Sequence, residues 1–235
     1  MALTVIKNWD NKTWLSSKSY IKSFNKFIIK KTKLNSKSKI LDIGCGRGKI
    51  LGSLSSKLKL VNKPFGLDIV NHKDRDKRIV FKKINGATFF LKNKKKFDLI
   101  LIKQTIHLLN FNEMKKLLYL SKKSLTTNGQ ILIFSLDAYH NEIPSFKLMK
   151  TRLLKSLEKD KKIFKLITKL YPCKKSKFIY KVDIIKKKYL KMLQNRYMST
   201  LLSMTDHELQ KGMKEIKFKY KNNIKFKDKL ICLDI

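Results

Sequence analysis

The chain has 235 residues, enough for one substantial core, and 43% of them are apolar, which excludes a disordered polyelectrolyte despite a formal net charge of +39. That charge comes from 51 lysines and only five arginines, at positions 47, 75, 78, 152 and 196. Either a basic face binds nucleic acid or anionic lipid, or a bias toward Lys, Asn and Ile has filled neutral surface positions; the even spread of lysine and the scarcity of arginine, the better bidentate phosphate reader, favour the second.

In chain order, residues 4–35 read as helical and amphipathic, with Tyr20, Ile21, Phe24, Phe27 and Ile28 at helical spacing. Trp9, Trp14 and Tyr20 serve either as core or as an aromatic lid over a pocket. A turn at 35–38 leads into a strand at 39–43, and the apolar run then meets Gly44, Gly46 and Gly48 before a helix over 48–60. Strand, tight glycine loop and helix suit a nucleotide-like ligand, because glycine accepts positive φ and the helix points its free N–H groups at the loop. The spacing Asp42-x-Gly44-x-Gly46-x-Gly48 is neither the dinucleotide fingerprint nor a P-loop, since Gly48-Lys49-Ile50 lacks the hydroxyl.

A second strand at 65–69 carries Asp68, 20 residues after Gly48, where a carboxylate accepts both hydroxyls of a ribose. A third strand spans 79–84, followed by Asn85-Gly86-Ala87. The aliphatic run 96–102 suits a strand buried on both faces, with Asp98 at its structural end, and Lys103, Gln104 and His107 follow it. A helix over 111–124 with Asn112 as N-cap, a turn at 127–129 and a strand at 130–136 come next, with Asp137, Tyr139 and His140 at that strand's carboxyl edge. Residues 144–170 read as a lysine-rich helix, 178–184 as a strand, 187–204 as a helix, and 224–234 as the last strand. Thr205 and Glu208 form a capping box that opens a helix to about Tyr220. Arg196 is either a clamp for an acceptor carboxylate or phosphate, or half of a surface ion pair. Three cysteines, an odd number without metal spacing, point to a reducing compartment and no metal site.

The ordered set of Asp42 with the three glycines, Asp68, and the segments after the fourth and fifth strands resembles the class I S-adenosylmethionine-dependent methyltransferases, of the small-molecule type, over roughly residues 36–137. The resemblance implies that the loop of Gly44, Cys45, Gly46 and Gly48 packs against the methionine part of S-adenosylmethionine and that Asp42 orients its amino group. Lys103 and Gln104 would sit beside the cofactor, and His107 near the reacting centre, as a general base or as a packed histidine. Many relatives place an Asp where Asn85-Gly86-Ala87 stands; here the Asn85 side chain or the Ala87 N–H would read the adenine edge.

The implied fold is α/β and Rossmann-like, a seven-stranded mostly parallel sheet in the order 3-2-1-4-5-7-6 with helices on both faces. One methyltransferase domain would span 1–235: an N-terminal helical lid at 1–35, a cofactor-binding core at 36–137, a helical cap insertion at 138–175, and C-terminal strands and helices at 176–235. Trp14, Tyr20, Asp137, Tyr139 and Arg196 are the candidate acceptor contacts. The expected activity is methyl transfer to an O or N atom of a small molecule. Two alternatives remain open: an RNA methyltransferase that uses the basic surface, and an inactive cofactor-binding partner subunit. Against the RNA reading, the chain has no Asn-Pro-Pro-Tyr/Phe motif. With no signal-like or membrane-length apolar run, a cytoplasmic location is expected.

Overall fold

The aliphatic runs expected to lie within a sheet do so. In the computed structural model, which describes residues 13–235, seven strands form one sheet in the order β3-β2-β1-β4-β5-β7-β6. The strands are β1 (Ile40–Ile43), β2 (Phe65–Asp68), β3 (Val80–Lys83), β4 (Phe97–Lys103), β5 (Leu125–Leu136), β6 (Lys174–Ile185) and β7 (Asn223–Asp234). The first five run parallel, while β7 pairs antiparallel with both β5 and β6.

Strand period divides the central residues between two cores. Leu99, Leu101, Leu132 and Phe134 face one layer, formed by α1 (Lys18–Lys31), α2 (Lys49–Leu58), α6 (Lys186–Gln194) and α7 (Asp206–Lys219). Ile100, Ile102, Ile131 and Ile133 face the other, formed by α3 (Gly86–Lys92), α4 (Phe111–Lys123) and the carboxyl half of α5 (Lys147–Leu170) through Ile163, Phe164 and Ile167. The amino half of α5 packs Leu153 and Leu157 on Ala138 instead, above the carboxyl edge of the sheet. Gly212 on α7 is held without a side chain because a Cβ there would lie 2.3 Å from the Phe146 ring that precedes α5.

Three local expectations are corrected. The N-cap of α4 is Asn110, not Asn112: its side chain accepts from the Glu113 N–H at 2.9 Å and the Glu113 carboxylate accepts from the Asn110 N–H at 2.8 Å. The turn at 127–129 lies inside β5 as an irregularity, because Gly129 approaches the Phe97 carbonyl so closely that a Cβ would sit 2.6 Å from it. The helix expected over 187–204 stops at Gln194. Arg196 takes a left-handed φ of 51°, its N–H bonds the Leu193 carbonyl at 2.8 Å, and the Tyr197 N–H bonds that of Met192 at 3.2 Å. That is a Schellman ending, and it turns Tyr197 into the core. The capping box of Thr205 and Glu208 forms as expected at the start of α7.

Among the described residues, no helix is long and apolar enough to cross a membrane, and no group of three or more His, Cys, Asp or Glu side chains is placed to hold a metal. The three cysteines are free thiols.

Candidate active site

The site is built at the carboxyl edge of β1, β2, β4 and β5, where parallel sheets bind ligands. All three loop glycines are left-handed, with φ of 75° at Gly44, 54° at Gly46 and 69° at Gly48. Their surroundings differ. A Cβ on Gly44 would fall 2.0 Å from Thr105 Oγ1, and one on Gly48 would fall 2.2 Å from Ile79 Cδ1. A Cβ on Gly46 would meet nothing within 4 Å. The middle glycine therefore faces open space, while its neighbours clamp the loop to the rest of the sheet edge.

Asp68 shapes the loop from the side. Its Oδ2 accepts from the Gly46 N–H at 2.8 Å and its Oδ1 from the Val70 N–H at 2.9 Å, and each oxygen keeps a second lone pair for a ligand hydroxyl. Cys45 is half-buried, and burial first, then the charges of Asp42 and Asp68, push its thiol far above the ordinary value, so it is an inert wall and not a nucleophile. Asp42 is 4% exposed and its Oδ1 has no hydrogen-bond partner. Burial raises its carboxyl to about 7; the Lys103 charge opposes the rise and Asp68 adds to it. A buried carboxylate with an orphaned oxygen is costly unless a cation or donor meets it.

Lys103 and Gln104 end β4. The Lys103 ammonium lies 5.5 Å above both the Tyr20 and the Phe24 rings and donates to Gln104 Oε1 at 3.2 Å. Gln104 holds a left-handed φ of 51°, and its N–H bonds the Phe134 carbonyl at 2.7 Å. Asn85 caps α3, with its side-chain oxygen taken by the Thr88 N–H at 2.8 Å. Gly86 abuts the end of β1: a Cβ there would lie 3.1 Å from Ile43 Cγ2. Ala87 follows in the first turn of α3.

His107 sits in a short 3-10 turn after β4. Its Nδ1 has no partner, and Lys159 binds its backbone carbonyl at 2.9 Å. Burial, helped by the Lys159 charge, lowers the imidazole to about 4, so it is neutral near pH 7. His107 and Gln104 line a cavity of about 40 Å3 together with Ser135, Leu157, Asp160 and Thr200.

None of the residues expected to contact an acceptor lines that cavity. Trp14 is buried, donates its indole N–H to Asp228 Oδ2 at 2.9 Å, and meets Tyr197 and Phe226 edge-on. Tyr20 is fully buried, stacked along Phe24 and edge-on to Phe178 and Tyr180. Both therefore pack the layer that carries α1, and Trp9 lies outside the described residues. Asp137 is buried at a turn, where it accepts from the Tyr139 and His140 N–H groups and pairs with Lys177 at 3.0 Å. Burial works to raise its carboxyl, but those partners outweigh it and hold it below the usual range. Tyr139 is 58% exposed beneath the Lys161 ammonium. Arg196 spends its guanidinium on the Leu201 carbonyl and on Asp206 at 2.8 Å, so it ties the end of α6 to α7.

Two acids that the sequence reading passed over are in the site region. Asp228, 1% exposed on β7, answers Trp14; burial raises its carboxyl, against the Trp14 hydrogen bond and the Lys103 charge. Asp160, on α5, accepts from Ser135 Oγ at 3.1 Å, and its Oδ1 has no partner. Each occupies an inward phase of its element: Asp228 shares a face of β7 with Phe226 and Leu230, and Asp160 continues the stripe of Leu153, Leu157, Phe164 and Ile167. An acid on an apolar phase was the available signal.

No family model matches the chain, and no curated protein sequence matches it. Its fold, in contrast, is widely shared among solved structures. A protein from Anabaena variabilis described as a candidate methyltransferase from an antibiotic biosynthesis pathway superposes with a TM-score of 0.64 at 13% identity, over 89% of this chain and 95% of that one. YjhP from E. coli gives 0.56 at 11% identity, over 97% of both chains. The plantazolicin methyltransferase BpumL, solved with S-adenosylhomocysteine and a desmethyl plantazolicin analogue, gives 0.52 at 18% identity, over 97% and 88%. The chain has the Rossmann-like fold of the class I methyltransferases, with its 3-2-1-4-5-7-6 sheet.

Proposed function

We propose that this protein is an S-adenosylmethionine-dependent methyltransferase acting on an O or N atom of a small molecule. The observation that carries the proposal is the orphaned, buried oxygen of Asp42 beneath a loop of three left-handed glycines. A ligand ammonium at Asp42, a ribose diol at Asp68 and close backbone approach at Gly46 fit S-adenosylmethionine. Lys103, Gln104 and the segment 85–87 flank the same edge. A methyltransferase solved with S-adenosylhomocysteine is among the neighbouring structures of this fold, which supports the reading.

The cofactor supplies an electrophilic sulfonium methyl. The chain then has to hold the acceptor in line and keep water out. As the new bond forms, the acceptor atom gains positive charge and its proton becomes acidic. His107, neutral and with a free Nδ1, takes that proton late, which suits an imidazole of low basicity. With the cofactor held at Asp42, Asp68 and the Gly46 backbone, it would supply the methyl group and keep its sulfur as the leaving thioether, and His107 would carry away the acceptor's proton.

Calorimetric titration with S-adenosylhomocysteine tests the cofactor half, and His107→Asn tests the chemistry. The variant should bind S-adenosylhomocysteine as the parent does, while kcat falls by about 100-fold or more. Unchanged kcat would remove His107 from the reaction, and no binding by the parent would remove the cofactor.

A further inference from the structure

The cavity between the ends of β4 and β5, α5 and the 3-10 turn at Ser199–Leu201 is not explained by the cofactor loop. Its volume of about 40 Å3 has room for about three water-sized atoms, too few for a whole metabolite. Three side chains that line it each carry a buried polar atom without a hydrogen-bond partner: Asp160 Oδ1, His107 Nδ1 and Thr200 Oγ1. Asp160 is 6% exposed, and its other oxygen is fixed by the buried Ser135 hydroxyl. Of the two lysines that flank Asp160 in sequence, Lys159 spends its ammonium on the His107 carbonyl and Lys161 pairs with Glu158.

We propose that this cavity seats the terminal hydroxyl or amino group of the acceptor, and that Asp160, oriented by Ser135, selects it. Burial raises the Asp160 carboxyl to about 6, against the Ser135 hydrogen bond and the Lys159 charge; above that pH it is ionised and its free oxygen can only accept, so it calls for an N–H or O–H and rejects a carboxylate, which would bring two acceptors together. Thr200 rotates to serve either role. Leu136, Leu153, Leu157 and Met198 supply an apolar part of the wall, which suits a short methylene or methine stem behind the donor group. The seat adjoins His107, so a group bound at Asp160 presents its own atom, or one next to it, to the base. The selection rests on the methyltransferase reading for its consequence, but its binding chemistry does not need the cofactor.

The test is a titration of the cofactor-free full chain with ethanolamine, ethylene glycol and acetate, read by NMR shifts of the Ser135, Asp160 and Thr200 amides. Ethanolamine and ethylene glycol should saturate, and acetate should leave all three amides still. Asp160→Asn should weaken ethanolamine by about tenfold or more. Thr200→Val, at a half-buried surface turn, should weaken both donors several-fold with the fold intact, so the proposal stays testable if Asp160→Asn unfolds. Equal binding of acetate, indifference to both substitutions, or no saturable shift with either donor would overturn it. A protein that takes ethanolamine at Asp160 but not S-adenosylhomocysteine would sink the methyltransferase reading and leave this one standing.

Discussion

Gly44→Ala should cost the protein both cofactor binding and stability. A side chain there is strained twice over: φ is 75°, and the new Cβ would lie 2.0 Å from Thr105 Oγ1 and 2.9 Å from Thr105 Cβ. The second contact cannot be relieved by a rotamer change, because Cβ does not move when χ1 turns. The left-handed strain and the overpacking together cost about 2–5 kcal/mol, which lowers Tm on the order of 10 °C. The backbone must yield, and the parts that yield are the loop over Asp42 and the turn that carries Gln104 and leads to His107. Gly46→Ala is the informative partner. Its Cβ meets nothing within 4 Å, so only the φ cost of about 1–2 kcal/mol applies and the fold survives. Its methyl then stands in the space reserved for the ligand. S-adenosylhomocysteine affinity should fall steeply in both, with a large loss of Tm in Gly44→Ala alone. If Gly46→Ala binds as well as the parent, the open space above it is not where the cofactor lies.

Asp42→Asn should stabilise the free protein at pH 8 while it weakens cofactor binding. Folded, Asp42 keeps its proton up to about 7; unfolded, only to about 3.8. Between those values the folded state binds more protons, so this group's contribution to stability falls as pH rises through that window, and above it the penalty is fully present. The gap corresponds to about 4 kcal/mol as an upper bound. Asparagine removes the charge. The gain in Tm should therefore be near zero at pH 4 and several degrees at pH 8. A ligand ammonium offsets the same penalty in the parent, so parent affinity for S-adenosylhomocysteine should tighten from pH 6 to pH 8. The variant should lose that pH dependence and about tenfold to 100-fold in affinity. A Tm gain that is equal at both pH values would show that the buried charge is not its source.

The sheet and the glycine loop were legible because their signals are local. Glycines that need positive φ, an acid at a strand end and continuous aliphatic runs each declare themselves within a few residues. The cavity beside His107 was not, because its residues meet across the fold: Asp160 and Ser135 are 25 positions apart. The same distance hides the packing of Trp14 on Asp228, 214 positions away. Tyr20 and Trp14 resembled a lid because aromatic residues before the first strand look the same whether they cover a ligand or a sheet. Only the burial of Tyr20 against Phe24, Phe178 and Tyr180 separates the two. Arg196 drew attention by its rarity, and the helix expected over 187–204 ran through it; only its left-handed φ of 51° and its bond to Asp206 mark it as a helix ending. The lysines remained ambiguous for a different reason: a charge spread along the whole chain has no period to read.

The central claim is that this chain moves a methyl group from S-adenosylmethionine to a small molecule. Methyl-labelled S-adenosylmethionine, purified protein and a cell extract depleted of its own small methyltransferases, followed by separation of products by size and nuclease sensitivity, tests it most directly. The account predicts label in a low-molecular-mass product, lost with Gly44→Ala and strongly reduced with His107→Asn. Label confined to nuclease-sensitive polymer would contradict it and make the +39 charge a working surface for RNA.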